Sequence, residues 1–439
     1  RSMRSVVGVS VAIVLLFGVT WAAREDMPLL SSSVSSNHWG YIAGFDLLNA
    51  GQQQALDDMQ SDARAAGMDV ERIFTTWAEL NPEDGVYDLN EFEEQLQANF
   101  NAGSKTYVSV TTIDSSGVDD VPDRFKDDNS GTGLSTSWSS DEMLGDYNAL
   151  MDRVIPLCEQ YDGFVLSVAN EPQFYFEDFD ADEDDFLNFY SEVTDHIHSL
   201  SNNVAVSITL ANHELTSDLN TQMLGISDVI SLNLYGVITN DPEDWITPIE
   251  QAEALVSPKQ IIFQEMGLSS DSEGSTVSLQ ATYISTLSTK LQTSAQLRVL
   301  FWFLIHDPAE AFLDASTEGL EEAGLPDEFI VEVRLALSGL GMCTLTDNGC
   351  QLKQPTWDTF LDELDAIYSP VTQSSFSSGQ SPYTFSQSPN TFSESSRGSS
   401  SSRSSGSSPN TDSSSRTSPA GALTPCALVS LVLALVAIV

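Results

Sequence analysis

Between residues 37 and 369 the chain alternates two hydrophobic rhythms. Short, nearly unbroken apolar runs predict strands buried on both faces: YIAGFDLL, VERIFTTW, KTYVSVTTID, GFVLSVAN, NVAVSITLAN, VISLNLYG, QIIFQEMG and LRVLFWFLIHD. Stretches with helical spacing of apolar positions lie between them: GQQQALDDMQSDARAAG, LNEFEEQLQANFNAG, SDEMLGDYNALMDRVIPLCEQY, DDFLNFYSEVTDHIHSL, PIEQAEALV and STVSLQATYISTLSTKLQ. After the fifth strand only LTSDLNTQMLGISD is available, enough for a short helix. PDEFIVEVRLALSGL and TWDTFLDELDAIY follow the eighth. Buried strands alternating with helices require a parallel sheet covered by helices. Eight such units in one domain fit an α/β fold of the (β/α)8 TIM-barrel type. A doubly wound open sheet is the alternative, but it usually carries a glycine-rich phosphate loop after its first strand. Here LNAGQQQAL follows instead.

The two ends of the chain follow other rules. Arg1 and Arg4 precede an apolar run from Val6 to Val19, and Thr20-Trp21-Ala22 supplies small residues where a signal peptidase reads, so residues 1–22 are expected to be a signal peptide. Residues 370–420 are rich in serine and too poor in apolar side chains to offset the entropy of ordering, and are expected to form a disordered stalk. Within residues 421–439, the run from Ala427 to Val439 is shorter than the ~20 residues a spanning helix needs. Small residues around Ser413, Ser414 and Ser415 and a polar spacer precede it. That order matches a glycolipid (GPI) attachment signal, with a tail-anchored helix as the alternative. Together the ends place the domain outside the cell, on the plasma membrane through a C-terminal lipid anchor.

Charge narrows the partners. The 64 acidic against 17 basic residues give a formal net charge of -47, which argues against nucleic acid and anionic lipid as ligands and, less strongly, against a polyanionic substrate. Cys343 and Cys350 flank the turn-forming TLTDNG, a loop that a disulfide would close in an oxidising compartment. Cys158 reads as a buried helix residue, and Cys426 lies in the apolar tail. His196 and His198 are two apart on a helix and do not share a face, so no metal and no cofactor are expected.

Two glutamates carry the chemistry. Glu171 closes FVLSVANEP and Glu265 closes QIIFQEMG, which places them at the C-terminal ends of the fourth and seventh strands. Such ends converge on the mouth of a barrel, and two carboxylates facing across a pocket are the minimal equipment for cleaving a glycosidic bond. At these residues the chain resembles the clan A (4/7 superfamily) retaining glycoside hydrolases, with family 5-like features. The matching segments are Asn170-Glu171-Pro172 and Gln264-Glu265-Met266-Gly267. The resemblance covers the barrel and none of the stalk. It implies Glu171 as acid/base and Glu265 as nucleophile. It also implies Arg72 and Tyr235 beside the nucleophile, Asn170 on the sugar 2-hydroxyl, and Trp302 as a platform under the sugar. Trp77 and Tyr175 are further aromatic candidates for the substrate. The chain departs from the family 5 pattern at Asn233, where many members carry histidine. At the end of the third strand it reads Thr111-Thr112-Ile113-Asp114, without a histidine.

The resemblance implies a retaining β-glycosidase acting on a polysaccharide of β-glucan or β-mannan type. With the tail and the net charge, the expectation is a monomeric, surface-anchored enzyme acting on a neutral polysaccharide. A wall-remodelling β-glucan transglycosylase using the same residues is one alternative. A catalytically inactive carbohydrate-binding surface protein is the other, though a binding module has no need of both carboxylates.

Overall fold

The computed structural model describes residues 38–41 and 48–368, apart from 116, 128–132, 179–181, 213–214, 237–238, 240, 311, 315–316 and 318–325. The expected leader, stalk and anchor signal lie outside the described residues. In chain order the strands are β1 (His38–Tyr41), β2 (Val70–Thr76), β3 (Lys105–Thr111), β4 (Gly163–Asn170), β5 (Ala205–Ala211), β6 (Ile230–Tyr235), β7 (Ile261–Gly267) and β8 (Leu297–Trp302). The helices between them are α1 (Ala50–Ala65), α2 (Trp77–Leu80), α3 (Asn90–Asn101), α4 (Asp141–Gln160), α5 (Gln173–Asp178), α6 (Glu183–Leu200), α7 (Asp218–Ile226), α8 (Glu243–Val256) and α9 (Val277–Thr293). After β8 come α10 (Asp327–Ser338), an antiparallel hairpin of β9 (Cys343–Thr346) and β10 (Gly349–Leu352), and α11 (Thr356–Tyr368).

Strands β1 to β8 form one parallel sheet in the order β1-β8-β7-β6-β5-β4-β3-β2. Its two ends meet at Gly40, where an added Cβ would lie 2.6 Å from the Val70 carbonyl oxygen. Glycine is required there because β1 and β2 close the ring backbone to backbone. The fold is a (β/α)8 barrel. The first strand differs from expectation: it is His38–Tyr41, not Tyr41–Leu48, and residues 42–47 lie outside the described residues. The helix α8 begins at Glu243, five residues before the expected start, and carries Pro248 within its second turn. The sequence pattern does not reveal α2 and α5, which are too short to show a period.

Alternation along the strands sorts side chains into two layers. Val108, Val110, Leu166, Val168, Val206, Ile208, Ile230 and Leu232 pack outward with α4, α6 and the other helices. The inward positions are unusually polar. Tyr107 donates to Ser231 Oγ at 2.9 Å, Ser207 donates to the same oxygen at 2.9 Å, and Thr209 donates to Gln264 Oε1 at 2.6 Å. All of these side chains are buried, so each hydrogen bond removes a desolvation cost of about 1–3 kcal/mol.

Capping explains the helix starts. Asn49 forms a capping box with Gln52 at α1, and Thr76 does so with Glu79 at α2. Ser140, Ser217 and Thr276 accept the N3 amide of α4, α7 and α9. Beyond β8, Lys353 is buried and donates to Asp307 at 2.6 Å, Ser270 Oγ at 2.9 Å and the Gly339 carbonyl at 3.1 Å. Asp307 also accepts from Gly341 N and Thr344 Oγ1, so this ion pair ties the loop after β8 to the β9–β10 hairpin. A Cys343–Cys350 disulfide with a Cα–Cα separation of 5.9 Å closes the hairpin.

Candidate active site

The site is built where two strands break their alternation. Along β4, Ser167 pairs with Ser207, but the next partner of Thr209 is Asn170, so β4 carries one residue more than β5. Along β7, Phe263 pairs with Leu232 and Glu265 with Asn233, again one residue more. A strict period of two would send Asn170 and Glu265 outward, in phase with Val168 and Phe263. The two bulges turn them into the barrel mouth. Bulges of this kind are not legible in an alternating apolar string, because they change register without changing composition.

Glu265 accepts from Arg72 Nη1 at 3.1 Å and from the Tyr235 hydroxyl at 2.6 Å. Arg72 stacks over Phe74, 4.9 Å from the ring centroid. Burial first and the negative charge of Glu265 second raise the Tyr235 phenol, so it stays a proton donor to the carboxylate. Glu171 sits at φ +49°, a left-handed conformation that is costly for a side-chain-bearing residue. Its amide is held by the Thr209 carbonyl at 2.7 Å. Its carboxyl accepts from Asn233 Nδ2 at 3.0 Å and from Ser115 Oγ at 3.2 Å. Ser115 at φ +60° and Leu304 at φ +72°, just beyond β3 and β8, share the same strained conformation around the mouth. Strain of this kind, about 1–3 kcal/mol each, persists where packing over-determines it.

The two glutamates are 2% and 6% exposed. Burial is the largest cause pushing the Glu171 carboxyl up to about 8, with the charges of Glu265 and then Asp114 adding to it. The Asn233 amide and the Ser115 hydroxyl oppose the rise by stabilising the ionised form. Glu171 is therefore a protonated acid at neutral pH, facing a carboxylate that has an arginine and a phenol as partners. That division of roles is what a paired acid and nucleophile require.

Asn170 lies in the same network, bonded to neighbours of both glutamates. Its Oδ1 accepts from Gln264 Nε2 at 2.9 Å and Asn233 Nδ2 at 3.2 Å, while its Nδ2 donates to Asp114 Oδ1 at 2.8 Å. Asp114 is pushed up to about 6, by burial first, with the Asn170 amide opposing and the Glu265 charge adding. Of the site residues expected from sequence, Arg72, Asn170, Glu171, Tyr235 and Glu265 are brought together here.

Three expected aromatic contacts are not. Trp302 continues the outward phase of Leu300, is fully buried, donates from Nε1 to the Leu340 carbonyl at 3.0 Å and meets Tyr283 of α9 edge-on at 6.1 Å. The strand phase decides this: Val299, Phe301 and Phe303 point the other way, and the Phe303 ring lies 5.6 Å from that of Tyr235. Trp77 is the first residue of α2, buried against Phe125 and Tyr147 at 5.3 and 5.0 Å, with Nε1 donating to Asn81. Tyr175 is likewise buried, in α5, and donates to Asp182 at 3.2 Å. None of the three offers a face to a sugar. Asp114, Ser115, Asn233, Gln264 and Phe303 are site residues that the sequence did not assign to the site. Gln264 had a signal in its place inside the Gln264-Glu265 match, and Asn233 and Asp114 in their places at strand ends that depart from the family 5 pattern.

No protein-family model matches the sequence, and no curated protein matches it. Solved structures do resemble the fold. One is a GH5_18 protein from Bifidobacterium longum subsp. longum in complex with Manb1-4GlcNAc, with a TM-score of 0.56 and 14% identity over 76% of this chain and 78% of that one. A second is the exo-beta-1,4-mannosidase Op5Man5 from Opitutaceae bacterium strain TAV5, with a TM-score of 0.54 and 16% identity over 76% of this chain and 60% of that one. A third is a GH5_18 protein from Bifidobacterium longum subsp. infantis, with a TM-score of 0.55 and 13% identity over 75% and 79% of the two chains.

Proposed function

We propose that this protein is a retaining glycosidase that hydrolyses β-linked neutral sugars of the mannose or glucose type at the cell surface. The observation that carries the reading is the asymmetry of the two strand-end glutamates. Glu171 is held protonated up to about 8 by burial and by the charge opposite it, whereas Glu265 is hydrogen-bonded to Arg72 and Tyr235. In the first step a Glu265 oxygen attacks the anomeric carbon. The glycosidic C–O bond breaks, and the leaving oxygen takes the Glu171 proton. In the second step the Glu171 carboxylate takes a proton from water, and that water's oxygen displaces Glu265 from the anomeric carbon. Two inversions give net retention. Asn170 offers an N–H to the sugar hydroxyl beside the reacting carbon.

The names of the structural neighbours support a β-mannoside or related sugar as substrate, and the net charge of -47 favours a neutral one. The leader, serine-rich stalk and apolar tail support secretion followed by lipid anchoring. Incubation with 2-fluoro β-mannosyl and β-glucosyl fluorides, followed by peptide mass spectrometry, tests the mechanism. A covalent adduct on Glu265 is expected, together with product of retained configuration by NMR. Inverted product from the wild-type protein would refute the double displacement.

A further inference from the structure

The donor and acceptor pattern around Asn170 leads to a second sugar contact. An ionised Asp114 only accepts, so Asn170 turns Nδ2 to it and Oδ1 to Gln264. Gln264 presents Nε2 at 2.9 Å, while its Oε1 accepts from the Thr209 hydroxyl at 2.6 Å and the Ser109 hydroxyl at 3.3 Å. Asn233 presents a second N–H to the same Asn170 oxygen. The Asn170 amide therefore has one orientation, oxygen toward Gln264 and nitrogen toward Asp114. One Nδ2 hydrogen goes to Asp114 Oδ1, which lies 3.4 Å from Ser115 Oγ, whose one hydrogen serves either Asp114 or Glu171. The other Nδ2 hydrogen remains for a ligand. Asp114 Oδ2 has no hydrogen bond among the described residues, although the carboxyl is anchored in the mouth through Oδ1 by Asn170.

We propose that Asp114 is a specificity-determining residue, whose Oδ2 accepts a hydroxyl of the bound sugar at, or next to, the one held by Asn170. The separation of 2.8 Å between Asn170 Nδ2 and Asp114 Oδ1 lets a single hydroxyl, or two on adjacent carbons, bridge a donor and an acceptor. The wall so formed selects a neutral sugar with these hydroxyls free. A carboxylate or an acylated oxygen brought to the same place meets a negative charge or supplies no proton. A site built to pair a hydroxyl discriminates strongly against the analogue that lacks it, because its own buried group is then left unpaired.

This inference rests on the glycosidase reading, and the test separates the two. Wild type, Asp114→Asn and Asp114→Ala are compared on 4-nitrophenyl β-mannosides and β-glucosides and on their 2-deoxy and 3-deoxy analogues. Saccharide binding is measured in parallel by calorimetry. Asp114→Asn is expected to lose about 10- to 100-fold in kcat/KM on the parent glycoside, the value of a hydrogen bond to a charged group. On the deoxy analogue lacking the contacted hydroxyl, wild type and variant are expected to agree within about twofold. An equal loss on the parent and both analogues would overturn the proposal and leave Asp114 a structural residue. Binding without turnover by the wild type would refute the glycosidase reading, and Asp114 is then judged by the same comparison made on dissociation constants. A folded wild type with neither turnover nor binding refutes both.

Discussion

Replacing Glu171 by glutamine is expected to destroy the acid and stabilise the fold, by an amount that depends on pH. The Glu171 carboxyl stands at about 8 in the folded protein against its ordinary 4.5. Because the folded value is the higher one, the folded state binds the extra proton between these limits, and stability falls as pH rises through that window. Below pH 4.5 the wild type incurs no cost from this group. At pH 7 the cost is about 3 kcal/mol, and above pH 8 it reaches about 5 kcal/mol. A glutamine in its place would keep the acceptor that Asn233 uses, turn its amide nitrogen toward the Ser115 oxygen, and carry no charge to be buried beside Glu265. Thermal unfolding of wild type and E171Q from pH 4.5 to 9 measures this. The Tm difference should be near zero at pH 4.5 and reach roughly 5–10 °C in favour of the variant by pH 8. A difference that does not change with pH, or that grows in favour of the wild type, would refute the burial and charge repulsion argued for this carboxyl. The gain would be stability recovered from a carboxyl whose ionised form is disfavoured by burial beside Glu265.

Other outcomes follow from the same contacts. In the proposed mechanism Glu171 acts in its protonated form, so log kcat/KM should decline with unit slope as pH rises through about 8, and a pH–rate profile reads this directly. Tyr235→Phe removes the 2.6 Å donor from Glu265 and should lower kcat more than it raises KM in steady-state kinetics. Lys353→Met leaves Asp307 buried without its cation and should cost about 3–5 kcal/mol in urea unfolding, most of it recovered in Lys353→Met/Asp307→Leu. Removing the Cys343–Cys350 disulfide, whose cysteines are seven residues apart, should cost about 2–3 kcal/mol in the same assay.

Much of the fold is legible in the apolar runs. A parallel strand buried on both faces cannot hide its composition, so β2 through β8 and the longer helices fall where the two rhythms place them. The first strand begins three residues before its expected start, because the apolar stretch continues past the residues that pair with β8. The same rhythm places Glu171 and Glu265 at strand ends, and an α/β alternation with eight units leaves those ends nowhere to go but one rim.

What the sequence determined by itself was therefore the barrel and the address of its two carboxylates, because burial and periodicity are properties of the local string. The tertiary structure decided which way side chains face at the rim. One extra residue in β4 and another in β7 turn Asn170 and Glu265 inward, while the regular alternation of β8 from Val299 onward turns Trp302 out to the helices and Phe303 toward Tyr235. It also decided the partners that raise the Glu171 carboxyl, since Asp114 and Ser115, Asn233 and Glu265 come from separate strands and loops of the chain. Register and long-range electrostatics exist only once the ring closes, and they give two similar carboxylates different roles.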